Sequence, residues 1–153
     1  MIEAIFPIHW KGEYELIDSG SGMKLEKFGH HILARPEPQA IWNARLSKAE
    51  WEGMQTGAFA QEGSHKGQWN LKGKPKPWFL KYGLKDDFIK MKLNFTQFKH
   101  VGIFPEQAAN WDYIYKKSKE LQGKASVLNL FAYTGGASLA AKAAGVDVVH
   151  VDS

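Results

Sequence analysis

Apolar and polar residues alternate most regularly over Ile89-Lys-Met-Lys-Leu-Asn-Phe95. Ile89, Met91, Leu93 and Phe95 fall on one side, Lys90, Lys92 and Asn94 on the other. A period of two predicts a strand with one buried face. Shorter runs of this texture precede it. Residues 14–18 and 23–28, separated by Ser19-Gly-Ser-Gly22, predict a hairpin. Gly29 interrupts the pattern and residues 30–35 resume it, until Pro36 and Pro38 remove amide donors and stop the pairing. Ser47-Lys-Ala-Glu50 is a capping box that opens a short helix carrying Trp51 and Met54, which fades at Thr56-Gly57. Strand texture returns at residues 68–71 and 78–82, on either side of the loop Lys72-Gly-Lys-Pro-Lys-Pro77.

The texture changes near residue 100. After a loop through Val101-Gly-Ile-Phe104, Pro105 suits the first turn of a helix whose apolar stripe is Trp111, Ile114, Tyr115 and Leu121, ending near Gly123. Residues 126–132 then read as a strand, residues 133–136 as a turn, and residues 137–144 as a helix closed by Gly145. Residues 147–152 read as a second strand. That outline is a βαβ unit. Val127-Leu-Asn-Leu-Phe131 has the apolar weight of a strand buried on both faces, as in a parallel sheet.

Composition narrows the class. Of 153 residues, 44% are hydrophobic and 24% charged, which suits one folded chain with a core and excludes disorder. No run of about 18 apolar residues is present for a membrane span, and Glu3 and His9 interrupt the start where a signal peptide needs an apolar stretch. A cytoplasmic protein with no membrane partner is expected. Cysteine is absent, which removes disulfides and thiolate chemistry within these residues. The formal charge of +4 permits a polyanionic partner without requiring one. The lysines Lys72, Lys74, Lys76, Lys81, Lys85, Lys90 and Lys92, with Trp69 and Trp78, form either a phosphate-facing surface or a solvated strand face guarding a sheet edge. The histidines, among them His30-His31, His65 and His150, show no metal-ligand spacing, so no metal is expected.

Candidate chemistry gathers at the turn of the βαβ unit. Gly135 and Gly136 precede an alanine-rich helix, so backbone can approach a ligand closely and amides of the helix start can face a polar group. Asp152 ends the second strand, where a carboxylate can accept ribose hydroxyl protons. Gly-Gly between strand and helix also serves as a plain tight turn, and G-x-G-x-x-G is absent.

The wording of these residues is more specific. Asn129-Leu-Phe-Ala-Tyr-Thr-Gly135 resembles the first cofactor motif, N-L-F-x-Y-T-G-G, of the class I S-adenosylmethionine-dependent methyltransferases of the ribosomal RNA large-subunit methyltransferase I and K type. Residues 98–107, with Asn110-Trp-Asp112, are similar to the segment that precedes the core in that family, although Val101 stands where threonine is more usual. The resemblance covers residues 98–153, and the earlier strand-helix-strand pattern looks like the small module that the family places before its core. No counterpart of the family's PUA module is apparent.

The resemblance implies an α/β chain. A small α+β module over residues 1–97, read as RNA-facing, precedes the beginning of a Rossmann-like class I methyltransferase sheet over residues 98–153. The cofactor is then S-adenosyl-L-methionine, held by Asn129, Phe131, Ala132, Tyr133, Thr134, Gly135 and Gly136, with Asp152 on the ribose, Ser153 beside it, and Phe104 and Gln107 at the border. Phe104 is otherwise a plain core aromatic, and Gln107 a solvent-facing residue of the first helical turn. The partner is RNA, ribosomal in this family, met by Lys90, Lys92 and Trp78. The sequence ends at the second core strand, whereas a doubly wound sheet needs further strands. The expectation is therefore the amino-terminal part of a methyltransferase, inactive alone, with catalytic residues beyond residue 153.

Two other functions remain open from the sequence. A nicotinamide-dependent oxidoreductase also uses a ribose-binding carboxylate, but Phe131 and Tyr133 stand where its glycines would be. A non-catalytic RNA-binding or interaction module would place the function in residues 1–97.

Overall fold

The expected hairpin forms over residues 14–28. β1 (Tyr14–Gly20) and β2 (Met23–Phe28) pair antiparallel with Gly20 opposite Met23, leaving Ser21 and Gly22 as a two-residue turn. β3 (His31–Pro36) pairs antiparallel with β2 and stops at its proline. The structure is a computed structural model that describes residues 9–63, 66–74, 76–121 and 124–152. The positions expected for His65, Gly123 and Ser153 lie outside these residues, as does the start of the chain before His9.

α1 (Lys48–Met54) begins at Ser47 with both halves of the capping box: Ser47 Oγ accepts the Glu50 amide, and the Glu50 carboxylate accepts the Ser47 amide. The sequence does not announce the strand that follows. β4 (Gly57–Glu62) lies where only a fading helix was expected, and it pairs parallel with β3 and antiparallel with β5 (Lys66–Leu71). Its sequence, Gly-Ala-Phe-Ala-Gln-Glu, has one large apolar side chain, so the strand is specified by partners on both sides rather than by its own pattern. The sheet order is β1-β2-β3-β4-β5.

The period of two divides this sheet into two faces. Leu25 and Ala34 pack with Trp51 of α1, joined by Ile17, Met23, Ile32, Leu46, Met54 and Ala58. Asp18 sits at the edge of this core and accepts from the amides of Ser19, Arg45 and Leu46 and from Trp51 Nε1. Burial, the largest influence, pushes its carboxyl up. The hydrogen bonds together outweigh burial and hold it below the usual carboxylate range. On the other face Glu26 and Arg35 form an ion pair, 1% and 3% exposed, and Arg35 Nη1 also donates to Lys99 O at 3.0 Å.

β6 (Trp78–Gly83) and β7 (Phe88–Leu93) form a two-stranded sheet. The alternation read from the sequence appears in space: Ile89, Met91 and Leu93 are buried, and Lys90 and Lys92 are exposed. The strand ends before Phe95. By internal contacts the chain forms two compact units, one of residues 12–80 and 92–102, the other of residues 1–11, 81–91 and 103–153. Residues 81–91 group with the later chain because buried Tyr82 packs edge-on against Trp10, at 4.8 Å between ring centroids, and against Trp111, at 5.5 Å. Burial and the Asp112 carboxylate, 2.6 Å away, push the Tyr82 hydroxyl above its ordinary range.

In this second unit Pro105–Gln107 form one 3-10 turn that leads into α2 (Ala108–Glu120), so Pro105 precedes the α-helix itself. The buried positions of α2 are Ala108, Trp111, Tyr115 and Ser118. Ile114 is half-buried, and Leu121 is an exposed C-cap rather than part of the stripe. The βαβ unit is present as β8 (Ser126–Asn129), α3 (Gly136–Ala143) and β9 (Asp147–His150), with β8 and β9 parallel. Both strands are shorter than expected. Burial on both faces is also corrected: Leu128, Leu130, Val149 and Val151 are exposed, because α3 covers one face and no described element covers the other. Among the described residues no helix is long and apolar enough to cross a membrane.

Candidate functional site

The parallel pairing places Asn129 beside His150 at the carboxyl ends of β8 and β9. The ladder continues beyond them. Val151 donates its amide to Asn129 O at 2.9 Å, and Ala132 donates to Val151 O at 3.2 Å. The turn after β8 therefore runs alongside the residues after β9. At its apex Tyr133 adopts φ +49°, a left-handed conformation uncommon for a residue with a side chain, and its amide donates to Asp152 Oδ2 at 2.5 Å. The carboxylate thus holds the turn in place while remaining exposed.

The two glycines have different physical roles. Gly135 is the N-cap of α3 with φ +95°, a conformation that glycine adopts without steric cost. At Gly136 a Cβ would meet the Trp111 ring at 2.5 Å, so this glycine lets α3 lie close against α2. Phe104 reaches the same turn from the segment before α2, its ring centroid 5.0 Å from that of Tyr133.

Of the residues expected at a cofactor pocket, Phe104, Tyr133, Thr134, Gly135 and Asp152 are therefore gathered around one turn. Ala132 is buried within it, and Phe131 projects outward, 92% exposed. Gln107 is exposed and its Oε1 accepts from Asn110 Nδ2 at 2.8 Å, as a solvent-facing residue would. Asn129 turns toward α3, where its Nδ2 donates to Ser138 Oγ at 3.0 Å. His150 Nδ1 lies 3.0 Å from the same hydroxyl. Ser138 and His150 were not singled out by sequence reasoning. The usable signal was a serine two residues after Gly-Gly facing an asparagine at the strand end. A shallow hollow of about 310 Å³ adjoins them, bordered by Thr134, Gly135, Leu139, Lys142 and Val148.

Trp78 is corrected. At 5% exposure it packs between His31 and Phe95, with centroids 4.5 and 4.9 Å away, so its ring cannot face RNA. On β6 the exposed side carries Phe79 and Lys81, and on β7 Phe88, Lys90 and Lys92, with Lys81 Nζ 5.1 Å from the centre of the Phe88 ring. A second hollow, of about 460 Å³, lies in the other unit beside Trp51, Met23 and Ala58, and none of the expected site residues lines it.

Open α/β sheets bind ligands in the crevice outside the carboxyl ends of parallel strands. The turn, Asp152 and the start of α3 occupy that position. An exposed carboxylate there can accept from ligand hydroxyls, and the first amides of α3 can donate to a polar group.

No protein-family model matches the chain, and no curated relative does. Among solved structures it is similar to the SAM-dependent methyltransferase from Agrobacterium tumefaciens, with 36% identity and a TM-score of 0.83 over 99% of this chain. It is also similar, at 16% identity and a TM-score of 0.57, to a Streptococcus mutans protein assigned as a SAM-dependent methyltransferase. A third structure, of a protein assigned as a methyltransferase and complexed with SAH, matches at 16% identity and a TM-score of 0.58. The chain spans 47% of the first of these proteins and 40% of each of the others. Over the length it spans, the chain has the fold of the S-adenosylmethionine-dependent methyltransferases.

Proposed function

We propose that this chain is the cofactor-holding part of an S-adenosylmethionine-dependent methyltransferase of class I that modifies RNA in the cytoplasm, with ribosomal RNA as its substrate. The observation that carries the reading is the convergence of the Tyr133–Gly135 turn with Asp152 at the carboxyl ends of β8 and β9. The 36% identity to a methyltransferase over nearly the whole chain supports it.

The donor set fits this cofactor. Asp152 accepts from the ribose hydroxyls through charge-assisted bonds, and the Tyr133 amide fixes the carboxylate's orientation before the cofactor arrives. Gly135 opens the turn without a side chain, and the rings of Phe104 and Tyr133 lie together beside it. S-adenosylmethionine supplies the electrophilic methyl group. Position and a dry surrounding are the protein's contribution to a direct displacement. Lys90 and Lys92, exposed on β7 near the cation–π pair of Lys81 and Phe88, support an RNA partner through phosphate contacts.

Isothermal titration of the chain with S-adenosylhomocysteine tests the cofactor. Saturable binding is expected, and Asp152→Ala should weaken it by well over tenfold, with Asp152→Asn intermediate, because charge-assisted hydrogen bonds contribute about 1.5–3 kcal/mol each. A folded protein that gives no heat would refute the reading.

A further inference from the structure

Three elements meet at one hydroxyl. Ser138, on the first turn of α3 and 8% exposed, is engaged by Asn129 at the end of β8 and by His150 at the end of β9. Those two residues face each other in the parallel register, so the hydroxyl sits where the strand ends and the helix start converge. The Asn129 Nδ2 group can only donate, so Ser138 Oγ accepts there, and the imidazole tautomer sets which of Ser138 Oγ and His150 Nδ1 donates to the other.

The consequence reaches the carboxylate. Asp152 is two residues beyond His150, and the intervening Val151 is fixed by backbone bonds to Asn129 and Ala132. A strand end that is free to twist about His150 would swing Asp152 away from the Tyr133 amide that orients it. Gly135 faces the same ring: a Cβ there would lie 3.2 Å from His150 Cε1, so the glycine lets the imidazole stand close to the turn.

We propose that Ser138 is a positioning residue of the cofactor site: by bridging Asn129 and His150 it sets the separation of the two strand ends and thereby aims Asp152 at the ligand. The inference rests on the cofactor reading given above. Ser138 lies beneath the turn, 8% exposed, and acts through Asp152.

The test is a double-mutant cycle on S-adenosylhomocysteine affinity, measured by titration well below the melting temperature of each variant. Ser138→Ala should weaken binding about tenfold, the scale of one buried hydrogen bond. In an Asp152→Ala background the same change should alter affinity by less than about twofold, because nothing is left to aim. An equal loss in both backgrounds would mean that Ser138 supports only the fold, and would overturn the proposal, as would no loss in either. A measurement on the unaltered chain stands beside the cycle: the ring nitrogens of His150 in a ¹⁵N NMR spectrum at neutral pH should report one fixed tautomer. Rapid exchange between tautomers would overturn the bridge itself. If the unaltered chain binds no S-adenosylhomocysteine, the cofactor reading fails first and this inference fails with it, a result distinct from a failed cycle.

Discussion

Replacing Arg35 by methionine, which keeps an unbranched stem but removes the charged guanidinium, should be among the most costly single changes in the first unit. Arg35 donates to Glu26 Oε2 twice, through Nε at 2.8 Å and Nη2 at 2.6 Å, and both residues are almost fully buried. Without it Glu26 keeps the Tyr14 hydroxyl at 3.0 Å and Lys24 Nζ at 3.7 Å, too little to replace water around a buried carboxylate. Removing one partner of a buried pair costs about 3–5 kcal/mol. For a chain of this size that lowers Tm by roughly 6–20 °C, at about 2–4 °C per kcal/mol. Glu26→Leu should cost a similar amount, since it leaves the guanidinium with the Lys99 carbonyl and the Phe28 ring, 5.0 Å from Cζ, in place of a carboxylate. The double variant should be more stable than either single one, because replacing both members of a buried pair with apolar residues is often neutral or stabilising by about 1–4 kcal/mol. Urea denaturation followed by circular dichroism measures all four proteins. Additive losses in the double variant would refute the argument that the penalty lies in the charge left behind.

Asp18 should make stability depend on acid. Its carboxyl is held below the usual range by hydrogen bonds, so its contribution is present above the unfolded value near pH 4 and is lost as pH falls through the lower folded value. Melting curves of Asp18→Asn and wild type should therefore differ at pH 6 and draw together progressively as pH falls below about 4; a constant gap down to pH 2 would exclude this cause. Gly136→Ala should destabilise by about 1–3 kcal/mol through overpacking against Trp111, and a variant as stable as wild type in thermal denaturation would show that α2 and α3 separate freely. If RNA is the partner, Lys90→Gln with Lys92→Gln should lower the salt slope of RNA affinity by about two, one for each phosphate contact, in fluorescence anisotropy titrations; an unchanged slope would place the RNA elsewhere.

Local chemistry was legible from the sequence alone. The Ser47–Glu50 box, a hairpin turn within residues 19–22, narrowed in the structure to Ser21 and Gly22, and the alternation at residues 89–93 each depend on residues close in the chain. The order strand, turn, helix, strand after residue 125 was legible for the same reason, and so was the gathering of Tyr133 and Gly135 on one turn. What depends on partners distant in sequence was not. β4 exists because β3 and β5 flank a segment with almost no pattern of its own. Trp78 was read as a surface ring, but His31 and Phe95, 47 residues before it and 17 after it, enclose it. Gly136 is required by Trp111 on another helix, and Ser138 gains its place from Asn129 and His150 on two different strands. Sequence periodicity records which face of an element is apolar, whereas the tertiary structure decides which side chain stands opposite it, because those pairings close over intervals of chain that no local pattern encodes.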